Sequence, residues 1–151
     1  MSLQLRLRKV FDALIAPAPG VPPVAERARA TVMLLLEVAW ADHEIRSAEL
    51  AQLTRAMQRL YDMPAAAVDE LVTGALRDYP AVTSVQPFTR ALNEQLSMDE
   101  KFEVVTEMWR LALSDDELDK YEEYHVRRIA ELLYVPHEDF IAAKLIAKQA
   151  S

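Results

Sequence analysis

Glycine is almost missing from this chain. Only Gly20 and Gly74 interrupt its 151 residues, and glycine is the residue that reaches positive φ at no steric cost. Tight two-residue hairpins depend on such positions, so a fold built on strand meanders is disfavoured. A glycine-rich loop cradling a phosphate is ruled out on the same ground. What remains is helices joined by polar or proline-containing loops. The apolar spacing agrees, because no stretch alternates apolar and polar residues in the manner of a half-buried strand.

The helices can be placed from their periodicity and their caps. Residues 3–15 set Leu7, Val10, Phe11, Leu14 and Ile15 at three- and four-residue intervals, which predicts a short amphipathic helix. It is expected to pack on the rest of the chain, because Arg6, Arg8 and Lys9 are too few to anchor it on a membrane. Pro17, Pro19, Pro22 and Pro23 hold a stiff linker extended. Residues 1–23 are therefore read as an N-terminal helix and linker, and 24–151 as the helical domain. Within the domain the spacing predicts helices over 24–41, 47–62 with Ser47 as its N-cap, 64–79, 86–95, 97–113, 119–134 and 136–148. Ser97 with Glu100, and Asp119 with Glu122, have the spacing of a capping box, in which a side chain at each end satisfies a backbone N–H at the other. The fold expected is all-α, a compact bundle of seven to eight helices.

Composition narrows the function. Hydrophobic residues make up 52% and charged residues 27%, enough apolar material for one packed domain. A net charge of −7 argues against nucleic acid, whose binding requires a basic surface. Without cysteine there is no disulfide, thiolate zinc site or cysteine nucleophile. The longest apolar run, residues 31–41, carries Glu37 and is far shorter than a membrane span, and the N-terminus lacks the uninterrupted apolar segment of a secretory signal. A cytoplasmic protein without membrane contact is expected.

The informative feature is where the carboxylates collect. "VAWADHEIRSAELAQL", residues 38–53, passes from apolar to acidic and back, and "LALSDDELDKYEEYHV", residues 111–126, repeats the rhythm with six carboxylates in nine positions. A shift of 73 residues pairs Asp42 with Asp115, Glu44 with Glu117, Glu49 with Glu122, Arg55 with Arg128 and Tyr61 with Tyr134, and Pro64 meets Pro136 after a one-residue slip. This predicts a duplicated helix–acidic loop–helix–helix unit whose two copies pack about a pseudo-twofold axis.

At these residues the chain resembles the TerB-like family, small helical proteins associated with bacterial tellurite resistance and also found as a domain of membrane-anchored DnaJ-like co-chaperones. The family pattern is an apolar helix ending in Ala-Asp-Gly-Glu, followed by an acidic residue in the first turn of the next helix, and it occurs twice. Here the copies read Ala41-Asp42-His43-Glu44 with Glu49, and Ser114-Asp115-Asp116-Glu117 with Glu122, so His43 and Asp116 stand at the motif glycine. The resemblance spans residues 25–150. It implies a helical fold, a stress-related role and metal binding by the acidic loops, and it implies no reaction.

Read from the residues alone, Asp42, Glu44, Glu49, Asp115, Glu117, Asp119 and Glu122 are candidate ligands for a divalent cation. An oxygen-only donor set suits Ca²⁺ or Mg²⁺. The competing reading needs no ion, since each acidic residue in a first turn stabilises its helix by roughly 0.3–1 kcal/mol through the dipole. His43, His125 and His137 are too scattered for a zinc triad, and no serine carries a nucleophile motif, so no catalytic residue is assigned. Trp40 and Trp109, at the ends of the helices entering the two acidic loops, are expected in the core, as are Met33, Met57, Met63, Met98 and Met108.

The function expected is a non-enzymatic stress-response module whose paired acidic loops bind a divalent cation or a basic partner. A metal-free protein-interaction adaptor is the alternative, and a carboxylate metal hydrolase stands behind both. A protein partner is expected, and a homodimer remains open.

Overall fold

The computed structural model describes residues 23–40, 45–114 and 120–149. Among them are seven α-helices and no strand: α1 (Pro23–Ala39), α2 (Ser47–Tyr61), α3 (Ala65–Asp78), α4 (Gln86–Gln95), α5 (Met98–Ala112), α6 (Lys120–Leu132) and α7 (His137–Gln149), with a 3₁₀ turn at Tyr79–Ala81. The all-α expectation holds, with helix boundaries displaced by one or two residues at most. The helix expected over 3–15 and most of the proline linker lie outside the described residues.

Helix α1 sits at the centre and packs on α2, α3, α4, α5 and α6. Its sequence explains the position. Val32, Met33, Leu34, Leu35, Leu36, Val38 and Ala39 are consecutive or nearly so, leaving no polar face, and all are buried. Thr31, the buried polar residue of this run, is satisfied twice over. Its hydroxyl donates to the Arg27 carbonyl at 2.8 Å and shares a hydrogen bond with the Tyr61 hydroxyl at 2.6 Å.

A second organising helix is α5, which packs on α1, α2, α6 and α7. The Ser97 capping box forms as expected: Ser97 Oγ accepts from the Glu100 N–H at 3.2 Å, and the Ser97 N–H donates to Glu100 Oε1 at 2.9 Å. The bond from the Ser97 backbone N–H is the main cause that holds the Glu100 carboxyl below its ordinary range. The Ser47 cap is displaced. Arg46 occupies the N-cap with extended backbone angles, and its N–H donates to Glu49 Oε1 at 3.2 Å. A guanidinium has only donors, so the reciprocal half of a capping box cannot be made by this side chain.

The two tryptophans part company. Trp109 is fully buried, its ring centroid 5.0 Å from that of Phe140 and its indole N–H donating to the Phe140 carbonyl at 3.1 Å, which fastens α7 to α5. Trp40, expected in the core, is 37% exposed and lies 6.0 Å from the Tyr79 ring. Position relative to a loop does not decide burial; Trp109 has α7 laid across it. Among the methionines, Met33, Met57 and Met108 are core residues, Met63 is partly buried against the core, and Met98 is exposed.

Scarcity of glycine did not remove positive φ. Asp62 (φ 50°) and Tyr134 (φ 60°) take the left-handed conformation just past α2 and α6, each two residues before a proline, Pro64 or Pro136. The reciprocal contacts of a twofold are also present, α1 with α6 and α5 with α2. The parallel stops at the third helices, because α3 packs on both α1 and α2 whereas α7 docks on α5 and scarcely touches α6. A duplicated unit is therefore not established by the packing.

Trp109→Ala is expected to cost about 3–5 kcal/mol in urea unfolding, and Trp40→Ala less than half as much. Tyr134 is 72% exposed and pays the left-handed penalty as a bulky residue. Tyr134→Gly should therefore raise stability by about 1 kcal/mol in the same assay.

Candidate functional site at the acidic-loop flanks

Of the seven candidate ligands, Asp42, Glu44, Asp115, Glu117 and Asp119 lie outside the described residues. Glu49 and Glu122 are described, and both are buried, at 2% and 3% relative exposure. Each occupies the first turn of the helix that follows an acidic loop. There the helix N-terminus favours a negative charge, and Glu49 also accepts the Arg46 N–H. Burying a carboxylate costs several kcal/mol unless its surroundings compensate, so two such residues at corresponding places are not casual surface charge. Among the described residues no group of three or more His, Cys, Asp or Glu side chains stands close enough to hold a metal ion.

The flanks of the two loops meet. Glu37, near the C-terminal end of α1, accepts a hydrogen bond from the Tyr79 hydroxyl at 2.5 Å through Oε2. Its Oε1 lies 3.6 Å from His125 Nδ1, an ion pair when the imidazole is protonated. His125 is one turn beyond Glu122 on the same side of α6, so the end of α1 that enters the first loop is tied beside the start of α6 that leaves the second. Burial, with the Glu37 carboxylate adding to it, pushes the Tyr79 phenol well above its usual range.

Neither Glu37 nor Tyr79 stood out in the sequence. Glu37 is the single charge in the otherwise apolar run 31–41, and that lone carboxylate was the available signal. Tyr79 had none, because its partner is 42 residues away.

Another buried carboxylate, Glu107 of α5, grips two arginines. Arg59 of α2 donates through Nε (2.9 Å) and Nη2 (2.7 Å), and Arg110 donates through Nη1 (2.7 Å). The fork geometry makes these strong charge-assisted bonds and locks α2 to α5. Beside them a groove of about 920 Å³ opens between α2 and the C-terminal ends of α5 and α7.

These features define a small all-helical domain around a buried central helix, with carboxylates gathered at two helix entrances. The chain belongs to the TerB family: residues 28–145 match the family model described as tellurite resistance protein TerB. Among solved structures, a protein of unknown function from Porphyromonas gingivalis has the same fold. It is 18% identical with a TM-score of 0.62, and the alignment covers 83% of this chain and 95% of that one. No curated protein matches the sequence.

The Glu37–Tyr79 bond carries a pH dependence. The folded protein keeps the phenol protonated to higher pH than the unfolded chain does. Stability is thus intact below about pH 10, where a free tyrosine begins to ionise, and falls as pH rises further. Tyr79→Phe should cost about 0.5–1.5 kcal/mol at pH 7 and flatten the alkaline limb of a stability-against-pH profile followed by circular dichroism.

Proposed function

We propose that this protein is a non-enzymatic, cytoplasmic stress-response module whose two acidic loops, those leading into α2 and α6, bind a divalent cation or a basic partner surface. The observation that carries the reading is the pair Glu49 and Glu122, buried carboxylates at matching first-turn positions, each following a run of further carboxylates in sequence. Membership of a family described by tellurite resistance supports the stress-related part. Oxygen-rich, cysteine-free loops suit Ca²⁺ or Mg²⁺ better than a soft metal.

The two loops differ in charge balance. Arg46 stands between Glu44 and Glu49 in the first, whereas Lys120 alone faces Asp115, Asp116, Glu117, Asp119, Glu122 and Glu123 in the second. Crowded carboxylates resist one another's ionisation, and a divalent ion relieves that repulsion. The second loop is therefore the tighter site. A duplicated origin of the two halves belongs to the same proposal, supported by the shared left-handed caps before Pro64 and Pro136.

The alternative is a metal-free adaptor. It is favoured by the placement of Glu49 and Glu122 at helix N-termini, where the dipole stabilises them without an ion.

Titration calorimetry with Ca²⁺, Mg²⁺ and Mn²⁺ separates the two. Cation binding should stabilise the fold by about 2.7 kcal/mol at a hundredfold excess over Kd. Asp115→Asn with Glu117→Gln should remove most of that gain, and Asp42→Asn with Glu44→Gln less. No heat and no melting shift at millimolar concentrations of all three ions would leave the adaptor reading.

A further inference from the structure

Charge is unevenly placed on this molecule. The whole chain carries −7, yet the described lining of the groove between α2, α5 and α7 holds four cations, Arg55, Arg59, Arg110 and Lys148, and no carboxylate. Glu107 lies behind this surface, buried, and holds Arg59 and Arg110 in place by the bonds already given. One negative charge thus fixes two guanidinium groups and leaves one positive charge over. Among the described residues Arg55 donates to a neutral acceptor, Gln52 Oε1 at 3.0 Å. Lys148 has no ion pair among the described residues.

Helix dipoles account for part of this. Arg59, Arg110 and Lys148 each occupy the last turn of a helix, where a cation is favoured. That explains each residue singly, and it leaves unexplained why three helices direct their terminal cations into one groove. Arg55 is not at a helix end and adds to the same wall.

The lining includes small side chains, Ala48 and Ala51 from α2 and Ala147 from α7. Small residues there let a second backbone come close. The α2 wall runs from Ala48 to Arg59, about 16 Å at 1.5 Å per residue, with Arg55 and Arg59 one turn apart and the cations of α5 and α7 on the other side. A single phosphate is best held by donors that converge on a point. Cations spread along a trough suit a row of anions instead. Duplex nucleic acid needs a broad basic face, which a chain of this net charge lacks.

We propose that the groove lined by Arg55, Arg59, Arg110 and Lys148 binds a carboxylate-rich peptide segment of a partner protein. Arg59 and Arg110, pre-set by Glu107, give forked contacts to side-chain carboxylates, and Arg55 and Lys148 add longer-range attraction. None of these residues is a candidate cation ligand.

A fluorescein-labelled octaglutamate peptide tests the proposal by anisotropy on the full-length protein. Saturable one-to-one binding is expected, weakening at least fivefold between 50 and 300 mM NaCl, roughly the sensitivity expected of contacts between a few charges. Arg55→Glu with Lys148→Glu should weaken it at least about tenfold, equivalent to about 1.4 kcal/mol. Arg77→Glu with Arg128→Glu, exposed cations outside the groove, should change it less than about twofold. Should the charge-reversed pair fail to fold, Arg55→Gln with Lys148→Gln serves with the same sign of effect. No saturable binding, or equal weakening by the control pair, overturns the proposal. So does inorganic tripolyphosphate binding more tightly than the peptide at the same residues. Self-association abolished by the groove variants in place of peptide binding would assign the groove to a second copy of the chain and equally overturn it.

Discussion

The burial of α1 along its apolar run, from Ala30 to Leu36, is the constraint on which the rest depends. A helical run that is apolar on every side has to be surrounded, and five other helices pack on α1. Burying a side chain of Leu or Met size contributes roughly 1.5–3 kcal/mol, and Met33, Leu34, Leu35 and Leu36 lie in succession. The one polar side chain buried within this run, Thr31, turns inward only because Arg27 and Tyr61 offer it partners. Once α1 is enclosed, its C-terminal end must emerge where Glu37 can meet Tyr79 and His125.

The second determinant is ionic. Glu107 is a buried carboxylate with two arginines, and removing one partner of such a group leaves costly uncompensated charge. Its hold on Arg59 ties α2 to α5, while Trp109 ties α7 to α5 through Phe140. The Glu107 bonds that join α2 to α5 also hold Arg59 and Arg110 at the wall of the basic groove. Buried carboxylates at two helix entrances and a basic groove thus belong to one compact domain.

Local rules served the sequence well where the interaction itself was local. The Ser97 box spans three residues and formed as its spacing required. The expected cap at Ser47 moved to Arg46 because Glu49, at the third helical position, could capture the Arg46 N–H without help from a capping hydroxyl. Glycine counting excluded sheets correctly but overstated the bar on positive φ, since Asp62 and Tyr134 accept that conformation where a following proline ends the helix. Glu49 and Glu122 were marked as site candidates on spacing, and their burial is what separates them from ordinary surface acids.

Helical periodicity, glycine scarcity and proline placement determined the all-α class, the order of the helices and their ends to within a couple of residues, because each follows from hydrogen bonds and sterics within a few positions along the chain. The family motif was readable for the same reason. Only the tertiary structure decided that Trp109 is core while Trp40 is exposed, that Glu37 pairs with Tyr79 and His125, and that Arg59 and Arg110 share Glu107 beside a basic groove. Most of those contacts join residues dozens of positions apart, and they form because closing the bundle around α1 brings their helices together, a result that no local spacing encodes.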